Sequence, residues 1–232
     1  MNVSKTKKLA MIGMLCALAY AAVAVGRVPL VLFLKYDPKD VVIVIGGLTF
    51  GPSVALAVTL IVSVVQMFTI SGTGILGCIM NVISSCSFAC TAAWIYRKSR
   101  RLSGAMLGLF GGWGCQVAVM MFWNWLIAPI YMGYPREAVV KLLLPAFLPF
   151  NLIKGGLNVA MTLLLYKPIV TALRRSNLIP AGRQCPSGKE PARDPARDPG
   201  KVQINKGVLA MAVCLLAVCV LWMLLLHAEP IG

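Results

Sequence analysis

Three residues in one apolar run could do chemistry: Asn151, Lys154 and Asn158, within "LPFNLIKGGLNVAM". Spaced by three and four, they fall in a sector about 60° wide if the run is helical, with Gly155 beside them. Lysine supplies a cationic donor, and each amide supplies both a donor and an acceptor. A charge about 9 Å along a membrane helix costs a few kcal/mol unless it is paired, solvated or able to snorkel. The stripe is therefore expected to face a cavity. The plain alternative is that Lys154 snorkels to the interface beside two helix-packing amides.

Matching polar residues lie in other runs. Asn81, Ser84 and Ser85 share a face in "GILGCIMNVISS", and Asn124 sits in "FWNWLIAPIY" among Trp123, Trp125, Tyr131 and Pro129. Taken singly, Ser and Asn serve as interhelical hydrogen-bond partners and aromatics as interfacial belts. Taken together, at one depth, they outline a pocket of amides, a cation and flat apolar walls. Such a pocket suits a planar heteroaromatic with carbonyl and imide edges.

The elements that must position these residues are membrane helices. The chain has 232 residues, is 59% hydrophobic and only 12% charged, about half the charged share of a soluble domain. Runs able to cross a core of about 30 Å recur along its length and leave no room for a sizeable soluble domain. Helices are expected over 9–26, 41–50, 54–70, 75–96, 105–131, 148–173 and 207–226, the second short enough for a partial crossing. An apolar loop, "RVPLVLFLKYDPKD", follows the first and is expected to fold back over the bundle. The basic start of the chain resembles a signal peptide, but its apolar run is long and other helices follow, so it reads as a retained first span.

Twenty-two Lys and Arg against seven Asp and Glu give a net charge of +15. They gather between apolar runs, at Lys5, Lys7 and Lys8, in "RKSRR", and at Arg174 and Arg175, with no basic groove of interleaved aromatics, so nucleic acid is not the partner. By the positive-inside rule those ends, including the N-terminus, are cytoplasmic. The organisation read from the sequence is a membrane domain over 1–175, a Pro-rich, charged linker over 176–206 that should be disordered, and a further transmembrane helix with a short tail over 207–232.

Enzyme chemistry has little to stand on. No phosphate loop, nucleophile elbow, zinc-protease helix or intramembrane carboxylate pair is present. Seven of the eight cysteines lie in apolar runs without a CxxC pair, where they read as small hydrophobes, and the lone His227 offers no metal site. In the first span Gly13, Ala17 and Ala21 repeat every four residues, a smooth ridge against which a helix of this chain or of a partner could approach closely.

The blocks "FLKYDPKDVVIVIGG", "FGPSVALAV", "GILGCIMNVISS", "FWNWLIAPIY" and "LPFNLIKGGLN" resemble, in order and spacing, those of the riboflavin-binding S component of energy-coupling factor (ECF) transporters, over about 9–173. The resemblance implies an all-α polytopic membrane protein: a six-helix S-component bundle, here with an additional C-terminal transmembrane helix. It implies riboflavin bound as transported ligand, with no resident cofactor, in a pocket near the outer face capped by the loop after the first helix. Flavin contacts fall at Asn124, Asn151 and Lys154, with Asn81 and Asp40 as further candidates. Ala17 and Ala21 would dock on a transmembrane coupling subunit, with two cytoplasmic ATPases supplying energy. An S component for another vitamin or a flavin analogue stays open, as do, from other classes, a membrane-embedded enzyme and a structural subunit. Relatives stop after the sixth helix, so the linker and last helix have no counterpart, and the third helix lacks the charged residues of some relatives.

Overall fold

The computed structural model describes residues 5–31, 34–70, 74–99, 102–133, 135–175 and 206–228. The expected 176–206 linker lies outside these apart from Lys206, as does the tail after Ala228.

Helix α1 (Lys5–Gly26) buries Met11, Leu15, Ala19 and Val23, spaced by four along one face, and leaves Gly13, Ala17 and Ala21 exposed on another. A short antiparallel hairpin follows, β1 (Val28–Val31) and β2 (Leu34–Tyr36), pairing Val28 with Tyr36 and Pro29 with Lys35. The sequence reading expected only an apolar loop here, because Pro29 interrupts a segment too short to show a strand period. Pro29 lacks a donor, and the register slips between it and Val31.

Helix α2 (Lys39–Phe50) is the buried axis of the bundle. Of its 12 residues only Val42, Thr49 and Phe50 escape full burial, and it packs against α1, α3, α4 and α7. At about 1.5 Å per residue it extends roughly 18 Å, too short to span the hydrocarbon core. Gly51, at φ +106°, turns the chain in a conformation that favours glycine, and Pro52 opens α3 (Pro52–Thr69) at a position where its missing N–H costs no helical bond. α3 buries Val54, Ala55, Val58, Thr59, Val62, Ser63 and Gln66 at helical spacing and exposes Leu56, Leu60, Ile61, Val64 and Phe68, an apolar face suited to lipid.

Helices α4 (Gly74–Lys98) and α5 (Leu102–Met132) form the most extensive helix pair of the bundle. Beyond α5 comes a short helix the sequence reading missed, α6 (Arg136–Leu142), whose charged "REAVVK" reads as a loop. It runs through one π-helical turn (Leu143–Phe147) into α7 (Leu148–Arg175). Pro145 and Pro149 each remove a backbone donor there, and the wider turn re-pairs the chain, with Leu148 N–H bonded to the Leu143 carbonyl. Helix α8 (Lys206–Ala228) packs against α7 and lies beside β1. Among the described residues, five stretches are long and apolar enough to cross a membrane, Lys8–Gly26, Pro52–Thr69, Gly74–Lys98, Ser103–Ile130 and Arg136–Tyr166. The chain is a polytopic helical membrane protein whose only described strands are the hairpin.

Candidate functional site

The stripe on α7 is fully buried: Asn151, Lys154 and Asn158 are 1%, 5% and 0% exposed, which removes the snorkelling alternative for Lys154. It is met by the start of α2. The Lys154 ammonium lies 3.3 Å from a carboxylate oxygen of Asp40 and donates to Ser84 Oγ at 3.0 Å. Asp40 sits in the first turn of α2, where the helix N-terminus favours an anion. Its other oxygen accepts from Ser85 Oγ, while Asn158 Nδ2 donates, at 3.3 Å, to the same oxygen that faces Lys154. Ser84 accepts a second donor, Gln116 Nε2 of α5, at 3.0 Å. Four helices thus converge on one ion pair, which compensates a charge that membrane burial would otherwise forbid.

The hairpin joins this set through Tyr36, whose hydroxyl donates to Asn158 Oδ1 at 2.9 Å. Burial above all, and then the carboxylates of Asp40 and Asp37 and the Cys219 thiol, push that hydroxyl well above its ordinary pKa, so it stays a donor. This fixes the Asn158 amide with its oxygen toward Tyr36 and its nitrogen toward Asp40.

A second polar cluster ties the feet of the hairpin to α3. Asp37 forms an ion pair with Arg27, Nε to Oδ1 3.1 Å, at an angle outside that of a hydrogen bond, and accepts from Gln66 Nε2 at 2.8 Å. Gln66 in turn accepts from the Lys39 ammonium, itself 3.9 Å from Asp37. Arg27 also donates to the Ile70 carbonyl at the end of α3, at 3.2 Å. Lys39 and Gln66 are both wholly buried.

Of the residues read from the sequence, Asp40 and Lys154 are brought into direct contact, with Asp40, a secondary candidate, at the hub. Asn151 lies on the same buried face but spends its Nδ2 on the Phe147 carbonyl one turn earlier, at 2.8 Å, and its Oδ1 is buried without a partner among the described residues. Gln116 Oε1 is a second such acceptor. Asn124 is buried on α5 and Asn81 half-buried on α4; neither side chain hydrogen-bonds within the described residues. Gly155 turns toward α5, where a Cβ would fall 2.0 Å from Cδ1 of the Trp113 indole. Ala17 and Ala21 lie on the exposed face of α1, apart from this site.

Sequence reasoning missed Tyr36, Asp37, Lys39, Gln66 and Gln116. Gln66 and Gln116 carried a signal, each a lone amide inside an apolar run, and the other three stand in the "KYDPKD" loop that was singled out. The arrangement is a network of hydrogen bonds around one ion pair. It presents a cation and two orphaned amide oxygens, groups that bind and orient a polar edge.

A family model described as "ECF transporter, substrate-specific component" matches residues 7–166. The chain is 25% identical over 184 residues to "Riboflavin transporter RibU" of Staphylococcus aureus (strain TCH60), covering 75% of this chain and 96% of that one. It is 30% identical over 163 residues to "Riboflavin transporter FmnP" of Bacillus subtilis (strain 168), covering 65% and 85%. Among solved structures it resembles the S component of a bacterial ECF transporter, with a TM-score of 0.63 and 26% identity, over 74% of this chain and all of the other. The family match ends before α8. Residues 7–166, with the polar core they build, make this chain a member of the substrate-specific components of ECF transporters.

Proposed function

We propose that this protein is the riboflavin-binding subunit of an ECF-type vitamin importer and catalyses no covalent chemistry. The observation that carries the reading is the buried face of α7, where the Asn151 oxygen, without a partner among the described residues, lies one turn from the Lys154 ammonium, in a chain similar to two relatives named as riboflavin transporters. The isoalloxazine ring of riboflavin presents an imide N–H between two carbonyls. An amide oxygen can accept from that N–H, and an ammonium or an amide N–H₂ can donate to the carbonyls. Asn151, Lys154 and Asn124 are the residues assigned to it, with Asp40 holding Lys154. Asn81 is assigned a place at the margin of the pocket.

An orphaned buried acceptor costs on the order of 1–3 kcal/mol, and a ligand that supplies the missing donor recovers it. This favours a ligand with an N–H on its edge over a purely apolar or purely anionic one. The N-terminus is assigned to the cytoplasm, with the hairpin and the site toward the outer face. The exposed Gly13, Ala17 and Ala21 ridge of α1 is assigned to a transmembrane coupling subunit, since small residues let helix backbones approach closely. Two partner ATPases would then drive uptake.

Titrating the purified, folded protein with riboflavin tests the reading. Quenching of flavin fluorescence that saturates near one ligand per chain is expected; no quenching at micromolar ligand refutes it. The absorption spectrum of any ligand carried through purification distinguishes riboflavin from another vitamin.

A further inference from the structure

Helix α8 lies beyond the 7–166 family match, yet it is built into the bundle at the site. Its Ala212 and Cys219 are buried, at 1% and 7% exposure, while Val213, Val218 and Leu221 face outward. The contact with α7 is made at Gly156, two residues past Lys154: a Cβ there would lie 2.8 Å from Cys219 Sγ, against ordinary distances of 3.6 Å to Trp113 and 3.9 Å to Leu215. Only the thiol is thus too close for a side chain, and glycine lets the two helices meet.

Cys219 does not end in lipid. It joins an apolar cluster with Tyr36 of the hairpin, Ala128 of α5, Val139 of α6, Phe147 of the π turn, and Phe150 and Ile153 of α7. Tyr36 is the residue that reaches Asn158, and through it Asp40 and Lys154. α8 also runs beside β1. The hairpin is therefore held from two sides, by the Arg27, Asp37 and Gln66 cluster on α3 and by α8.

Accepting the riboflavin reading above, we propose that α8 is a positioning element of the flavin site, which by seating against α7 at Gly156 packs behind Tyr36 and holds the hairpin down over bound ligand. Its effect falls on ligand release. A flavin can leave past the hairpin only when Tyr36 withdraws from Asn158, and α8 restrains that withdrawal without touching the ligand. Affinity differences between related binders usually reside in the dissociation rate, which is where a restraint of this kind acts.

The test uses the full chain, loaded with riboflavin and diluted so that recovery of flavin fluorescence reports release. Cys219→Phe pushes the helices apart from the α8 side and Gly156→Ala from the α7 side. Each is expected to release riboflavin about tenfold faster than the unaltered chain, with the association rate within about twofold. The double variant Gly156→Ala with Cys219→Ala removes the clash and is expected to restore slow release, which a general weakening of the fold would not do. Hydrogen exchange without ligand gives an independent readout: residues 28–36 should exchange faster in Cys219→Phe while the buried amides of α2 keep their protection. Release at the unaltered rate in both single variants, failure of the double variant to restore it, or unchanged exchange over 28–36 would each overturn the proposal. Absence of a flavin signal from the unaltered chain would instead overturn the functional reading, and this proposal with it.

Discussion

Replacing Asp40 with Asn keeps the shape of the hub and removes its charge, so it isolates what the ion pair contributes. At an effective dielectric constant of about 20, two unit charges 3.3 Å apart attract by roughly 5 kcal/mol, and part of that offsets desolvation of both ions. Lys154 is 5% exposed and, among the described residues, otherwise donates only to Ser84 Oγ, so Asp40→Asn leaves a buried cation without a counter-charge. Breaking a buried pair in this way costs about 3–5 kcal/mol. The new amide N–H₂ must also face Ser85 Oγ or Asn158 Nδ2, where an acceptor stood before. For a chain of this size the expected loss corresponds to a fall in Tm of about 10 °C in detergent. Lys154→Met should cost a similar amount by stranding Asp40. The double variant, neutral at both positions, should be more stable than the two single losses added together imply, by at least about 2 kcal/mol. It should still fail to bind riboflavin, because the donor is gone. Thermal unfolding and flavin titration on the four proteins of the cycle measure both effects. Additivity within about 0.5 kcal/mol would refute the claim that Asp40 and Lys154 neutralise each other in the folded protein.

Asn151→Leu should weaken riboflavin binding by about 1.5–3 kcal/mol, on the order of ten- to a hundredfold, with Tm nearly unchanged, since its amide bonds only the π turn that leads into its own helix and its oxygen has no partner among the described residues; a large stability loss with intact affinity would count against its assigned role. Gln66→Leu removes the amide between Lys39 and Asp37 and should lower stability by about 2–4 kcal/mol. Hydrogen exchange should then rise at the hairpin, and unchanged protection there would show that the cluster does not anchor it. Ala17→Trp should leave riboflavin affinity of the isolated chain unaltered and abolish uptake in cells; uptake at the original rate would remove Ala17 from the docking face.

The long helices were legible because apolar runs near twenty residues have few alternatives in a membrane chain. The hairpin and α6 were not, since a four-residue strand containing Pro29 and a seven-residue helix containing Arg136, Glu137 and Lys141 show no period of their own. On α7, spacing alone put Asn151, Lys154 and Asn158 on one buried face. Their partners could not be read the same way: Asp40 stands 118 positions from Asn158 and Ser84 stands 70 from Lys154. Such pairings depend on how α2 enters the bundle, which no local pattern encodes. Asn158, left undecided between packing and ligand, turned out to carry the hairpin's tyrosine.

From Asn151 to Ala160 only Leu152 and Leu157 retain even partial exposure, and the adjacent glycines 155 and 156 abut different neighbours, Trp113 and Cys219. Most surface helices have a side on which replacements accumulate freely. This decapeptide has almost none, so in a saturation library it should be the span with the fewest viable replacements. Tolerated changes at 156 should arise together with compensating changes at 219, which lies beyond the residues that match the family.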